Sequence, residues 1–368
     1  MPRSHPSGLI VRQKSPLNLE YPFSSLSDWL TPTDQFFVRN HFAMPRLDAA
    51  TWMLTIDGAV DRPFALSLAE LRRLPSRTVT AVVECAGNGR VFYEPAREGL
   101  QWQSGAVGNA AWRGIPLAEI IDRAGVRTDA VEVVLIGADR GIVDGGKKTA
   151  SPGEVAFARS LPLVKARAEG TLLAYAMNDE ALTTEHGYPL RAVVPGWFGM
   201  AWVKWLTAIR IVDRPFLGYW QGRDYFRWDR SLGEPNLVPL SRMEVKAEIA
   251  QPVQGARLNV GARTRIFGAA WSGEAPIRTV QISTTEDAAW QPARLLAPET
   301  PHGWRLWEYF WSPPEPGRYR IRCCAIDAVG SVQPDGQQTD RESYAANWIV
   351  PVEVTATVEE ASTEEFVI

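Results

Sequence analysis

The sequence predicts an α+β domain followed by a β-sandwich, and three observations carry that reading. The chain has 368 residues, enough for two domains of roughly 150–200 residues each. Its first two thirds mix apolar strand runs with short amphipathic helices. After about residue 240 the texture changes to short alternating runs separated by Gly, Pro and Asp, with no helical period.

Residues 1–35 are rich in Pro and Ser and read as an extension that wraps the surface. "WMLTIDGAV" reads as a strand, and "SLAELRRLP" as a short helix with Ser67 as its N-cap. "TVTAVVEC" is a buried strand, and "PLAEIIDRAG" a helix ended by Gly125. "AVEVVLIGAD" is a second buried strand, and "GTLLAYAMNDEAL" a strand or short helix running into a turn at Asn178–Asp179. Beyond "NLVPLSRMEVKAEIAQP" come "RLNVGARTRIFGAAWSG", "IRTVQISTT", "GWRLWEYFWSP", "GRYRIRCCAIDAVG" and "ANWIVPVEV", the strands of the sandwich. A loose acidic tail closes the chain.

A formal net charge of −3 gives no bulk attraction for nucleic acid or an anionic membrane. The longest apolar run, residues 192–203, is too short to span a bilayer and is broken by Pro195 and Gly196. Three cysteines, two of them adjacent, do not make a disulfide scaffold. With no signal peptide in the N-terminal stretch, a cytoplasmic protein is expected, or a periplasmic one if an export signal was removed.

Cys85 follows a buried strand and opens a glycine-rich turn. It is either a small buried hydrophobe or a soft thiolate ligand for a metal at a pocket. "FFVRNH" (36–41), Asp139 at the end of a strand, and His186, Arg191 and Lys204 around glycine turns add scattered cations and donors. Together they suit a large anionic, heterocyclic ligand. No GxGxxG, P-loop or HExxH is present.

The blocks "FFVRNH", "ECAGNGR", "LLAYAMNDEALTTEHGYPLRAVVPGWFGMAWVKWL" and "AWSGEAPIRTVQIS" stand in the order of a known family. The chain resembles the sulfite oxidase family of molybdenum enzymes from about residue 30 to 354. The resemblance implies a molybdopterin-binding catalytic domain (36–240), an immunoglobulin-like dimerisation domain (241–355) and the tail 356–368. It makes Cys85 the thiolate on molybdenum. It assigns Arg39, Asn40, His41, Asp139, His186, Arg191 and Lys204 to the molybdopterin and its phosphate, and implies a homodimer.

By the same resemblance, the pocket for a small oxyanion such as sulfite would be built from Arg39, Arg90, Trp102 and Arg341. Three departures stand out. Gly89 replaces the first of two consecutive family arginines, the loop from Val91 to Gly99 is distinctive, and Phe157 occupies the place assigned to a pocket tyrosine. Arg159, two residues on, either supplies a replacement donor or faces solvent. The implied reaction is oxidation of sulfite to sulfate, with electrons passed to an external acceptor, a cytochrome or oxygen. The alternatives are a reductive molybdoenzyme acting on a sulfoxide, N-oxide or nitrate, and a cofactor-less binding module.

Overall fold

The computed structural model describes residues 8–144, 149–285, 289–338, 340 and 342–358. Strands dominate, and the helices are short. Leu117–Ala124 is helical because Leu117, Ile120, Ile121 and Ala124 fall on one face and bury it, and Gly125 at φ 71° closes the last turn. Leu68–Arg72 begins on a reciprocal cap. The Ser67 hydroxyl accepts from the Glu70 amide, and the Glu70 carboxylate accepts from the Ser67 amide at 2.8 Å.

The first domain holds two five-stranded sheets. In one, Arg77–Glu84 pairs along its whole length with Val107–Pro116, which carries Leu172–Met177 on its other edge. Asn178 and Asp179 both take positive φ, at 50° and 65°. The segment is therefore a strand folding back on Glu180–Ala181 through a tight hairpin, not a helix. The other sheet runs Phe64–Ser67, Met53–Gly58, Leu206–Val212, Glu132–Gly141 and Val155–Pro162. Cys85 leaves the first sheet and Asp139 belongs to the second, and one cavity between the sheets is lined by both.

The second part is a two-sheet sandwich. Lys246–Gln251, Thr264–Trp271, Arg305–Trp311 and Arg294–Leu295 form one sheet. Arg257–Asn259, Val352–Thr357, Gly317–Asp327, Ile277–Ser283 and Gln291–Pro292 form the other. Alternate residues such as Ile266, Val280, Ile282, Trp307, Ile321 and Val354 meet in its core, where Cys323 packs as a small apolar side chain.

The N-terminal segment differs from its expectation as a surface wrap. Ile10–Lys14 and Leu17–Glu20 form a hairpin, and Asn18 and Glu20 of its second strand are buried. The Asn18 side-chain oxygen accepts from the Asn40 amide at 2.8 Å, and Leu19 exchanges backbone hydrogen bonds with Val38. Polar groups taken from water must be paired, and here the pairing holds the "FFVRNH" stretch in place. Of the tail, residues 359–368 lie outside the described residues, as does Arg341.

Candidate active site

The cavity between the two sheets of the first domain encloses about 670 Å³ of space, counting the part open to solvent. Arg39, His41, Cys85, Asp139, Phe157, His186, Arg191 and Lys204 all line it. Residues separated by up to 165 positions in sequence thus converge on one space.

One group of lining residues is cationic. Arg191 is buried and sits 4.8 Å from the Trp112 ring, with its guanidinium donating to the carbonyls of His186 (3.1 Å) and Trp202 (3.3 Å). Burial lowers its pKa to about 9. Lys204 donates to the Glu185 carbonyl at 2.8 Å and to the Asn40 side-chain oxygen, and lies 4.3 Å from the Trp205 ring. Burial, then the nearby Arg191, depresses its pKa. His186 is kept neutral, its pKa lowered to about 3 by burial and by Lys204 and Arg191. Its Nε2 lies 3.2 Å from the Thr33 carbonyl. Asp139 is pushed up to about 7 by burial against the pull of Lys204, and its Oδ1 has no hydrogen-bond partner.

Cys85, Arg39, His41, Phe157 and Tyr225 form a second group on the cavity wall. The Cys85 amide donates to Ala106 at 2.9 Å and its carbonyl accepts from Asn88 at 2.8 Å, so the loop presents the thiol to the cavity in one conformation. Burial raises the thiol pKa, against the pull of Arg39, the Gly87 amide and Arg90. Burial disfavours the Arg39 charge, but Tyr225 and Cys85 more than restore it. His41 stacks on Phe157 at 4.5 Å, and its Nε2 lies 2.7 Å from the Tyr225 hydroxyl.

Four sequence candidates do not line this space. Asn40 lies one layer behind, where its side chain donates to the Leu17 carbonyl at 2.8 Å and accepts from Lys204. Trp102 is fully buried in the core. Arg90 is turned away: Nε donates to the Ser343 carbonyl at 3.0 Å and Nη1 to the Leu100 carbonyl at 2.9 Å. A β-carbon at Gly87 or Gly99 would lie 2.6 or 2.9 Å from its guanidinium, so both glycines are needed to seat it. Arg159 neither faces solvent nor enters the cavity. It is buried, donating to the Trp220 and Leu240 carbonyls.

Tyr225 was not singled out from the sequence, because "YWQGRDYFRW" carries no motif. Only its aromatic density hints at a pocket wall. It places a phenol in the cavity, although the position assigned to that group holds Phe157.

Behind the cysteine loop the two domains are joined by buried charge. Lys246 lies 3.2 Å from both Glu84 and Glu248, and Trp271 and Asn88 donate to the Glu84 carboxylate at 2.9 and 3.0 Å. Gly89, at φ 81°, fits beneath this ammonium, which a β-carbon there would approach to 3.5 Å.

The residues fit a molybdopterin cofactor. Buried cations with few anions nearby suit a phosphate, and the orphaned Asp139 oxygen and the Trp202 and Trp205 walls suit a hydrogen-bonding heterocycle. Among the described residues no cluster of three or more His, Cys, Asp or Glu can hold a metal. A metal at Cys85 therefore needs donors that the cofactor brings with it.

Comparisons with known proteins agree. Residues 41–220 match the family described as "Oxidoreductase molybdopterin binding domain". The chain is 35% identical to sulfite oxidase of Gallus gallus over 352 residues, covering 91% of this chain and 74% of that protein. It is 34% identical to mitochondrial sulfite oxidase of Rattus norvegicus, again over 91% of this chain, but spans only 62% of that protein's length. Among solved structures, the sulfane dehydrogenase SoxCD from Paracoccus pantotrophus superposes with a TM-score of 0.81 at 27% identity, over 95% of this chain and 88% of that one. This chain belongs to the sulfite oxidase family and is a molybdopterin-dependent oxidoreductase.

Proposed function

We propose that the protein oxidises sulfite, so that sulfite and water become sulfate, two protons and two electrons. The observation that carries this reading is the convergence of Cys85, Arg39, His41 and Tyr225 on one cavity that Arg191 and Lys204 also line. Cys85 would hold molybdenum, and Arg191, Lys204, His186 and Asp139 the pterin and its phosphate, with Asn40 fixing Lys204 from behind. When bound, the cofactor supplies the oxygen-atom transfer and the two-electron couple.

The chain's own residues then bind and orient. Arg39 attracts the oxyanion and holds it next to Cys85. The Tyr225 hydroxyl, tethered to His41, offers a hydrogen bond to a substrate oxygen and a site through which a proton can pass. Phe157 and Trp220 pack around His41 and fix the plane of its ring beside the Tyr225 hydroxyl. Arg90 steadies the cysteine loop from outside the cavity.

The acceptor is proposed to be an external one-electron carrier such as a cytochrome, or oxygen. The chain is proposed to pair as a homodimer through its sandwich domain. Three free, buried cysteines support a reducing, cytoplasmic setting. Sulfite-dependent reduction of ferricyanide by the molybdenum-loaded protein tests the reading. Activity only in the reverse sense, with a reduced viologen and a sulfoxide, N-oxide or nitrate, would replace it.

A further inference from the structure

We propose that Tyr344, delivered by the second domain, is a positioning residue for Tyr225, so that the substrate end of the site is completed across the domain boundary. The inference rests on the sulfite reading above.

The segment around Tyr344 belongs to no regular element. Glu342 and Ala345 take φ of 51° and 56°, conformations that non-glycine residues adopt only when surrounding contacts enforce them. Glu342 is held by the Trp228 indole N–H at 2.9 Å, and three further contacts reach the cysteine loop and its continuation. The Ala345 amide donates to the Ala86 carbonyl at 2.7 Å. Arg90 Nε donates to the Ser343 carbonyl at 3.0 Å, and the Tyr93 hydroxyl to the Tyr344 carbonyl at 2.6 Å. The backbone of this strap is thus docked on residues 86–93, one step from the thiol.

The docking aims one large side chain at the site. Tyr344 is 7% exposed. Its hydroxyl donates to Asp224 Oδ1 at 2.7 Å, and its ring lies 4.9 Å from that of Tyr225 at 37°. The Arg90 guanidinium lies 5.0 Å from the ring's centroid. Asp224 is the residue before Tyr225, so the hydroxyl bond fixes the backbone that carries the cavity phenol, while the ring backs its face. With His41 holding the Tyr225 hydroxyl, the phenol has one orientation. Neither Tyr344 nor Asp224 lines the cavity, so neither touches substrate.

The test compares Tyr344→Phe, Asp224→Ala and the double variant, as holoenzymes, in sulfite–ferricyanide assays alongside molybdenum and pterin content. Tyr344→Phe keeps the ring and removes only the hydroxyl. It is expected to retain cofactor and to lose about tenfold in kcat/KM, mostly through KM. Asp224→Ala should do the same, and the double variant should be no worse than the poorer single one. Unchanged kcat/KM in Tyr344→Phe, additive losses in the double variant, or losses that track molybdenum content each overturn the proposal. A loaded wild-type protein inactive on sulfite overturns the substrate reading and the proposal with it. An active wild type with an unaffected Tyr344→Phe overturns the proposal alone.

Discussion

His41 Nε2 lies 2.7 Å from the hydroxyl of Tyr225, and both side chains line the cavity that Cys85 enters. Two residues 184 positions apart thus share a hydrogen bond where a small anion would sit. Tyr225→Phe keeps the ring and its packing and removes the donor. A loss of roughly 10²-fold in kcat/KM for sulfite is expected, with molybdenum content unchanged, because one positioned donor or proton relay contributes on that order. Steady-state kinetics check it, and a loss below about threefold would remove Tyr225 from the mechanism.

Arg191 is buried beside Trp112, with three carbonyls as its recorded hydrogen-bond partners. Its charge is costly there unless a ligand anion uses it. Arg191→Leu should therefore fold but lose most of its pterin. The fluorescence of oxidised pterin released from equal amounts of purified protein reports this. Retention of a full complement would show that the phosphate lies elsewhere.

The buried His186 contributes a pH dependence to the cofactor-free protein. Its pKa falls from 6.5 to about 3 on folding, chiefly through burial. Between those values the unfolded chain binds the extra proton. The contribution is therefore complete above about pH 6.5 and is lost as pH falls toward 3, at up to about 1.4 kcal/mol per pH unit. His186→Gln should flatten the fall in urea midpoint between pH 7 and pH 4. An unchanged slope would mean that the ring is not held neutral.

Lys246 compensates two buried carboxylates, Glu248 on its own strand and Glu84 across the domain boundary. Lys246→Met leaves both uncompensated and should destabilise the protein by about 3–5 kcal/mol. Chemical denaturation measures the loss directly. A change below about 1 kcal/mol would show that the triad carries no net weight in joining the domains.

Local chemistry made much of the fold legible. The Ser67 cap, the Gly125 stop and the Asn178–Asp179 turn each depend on residues within one turn of one another, and the sandwich announced itself through alternation. The site was legible where one stretch carries several of its members, as in "FFVRNH" and "EHGYPLR". What stayed hidden depends on distant partners. Arg90 faces Ser343, 253 positions away, rather than the cavity. Arg159 is claimed by the Trp220 and Leu240 carbonyls. Asn18, in a segment read as surface wrap, holds Asn40. The phenol expected at residue 157 comes instead from Tyr225, whose neighbours in sequence give no reason to select it.

The central claim is that Cys85 presents its thiolate to a molybdenum cofactor that sulfite reduces. The most direct measurement is the electron paramagnetic resonance spectrum of the purified, molybdenum-loaded protein after addition of sulfite, with Cys85→Ser in parallel. A Mo(V) signal that appears with sulfite in the wild type, and is lost in a Cys85→Ser protein that still contains pterin, is the result predicted. A loaded wild type that gives no signal and reduces no ferricyanide, or a Cys85→Ser variant with full turnover, would contradict it.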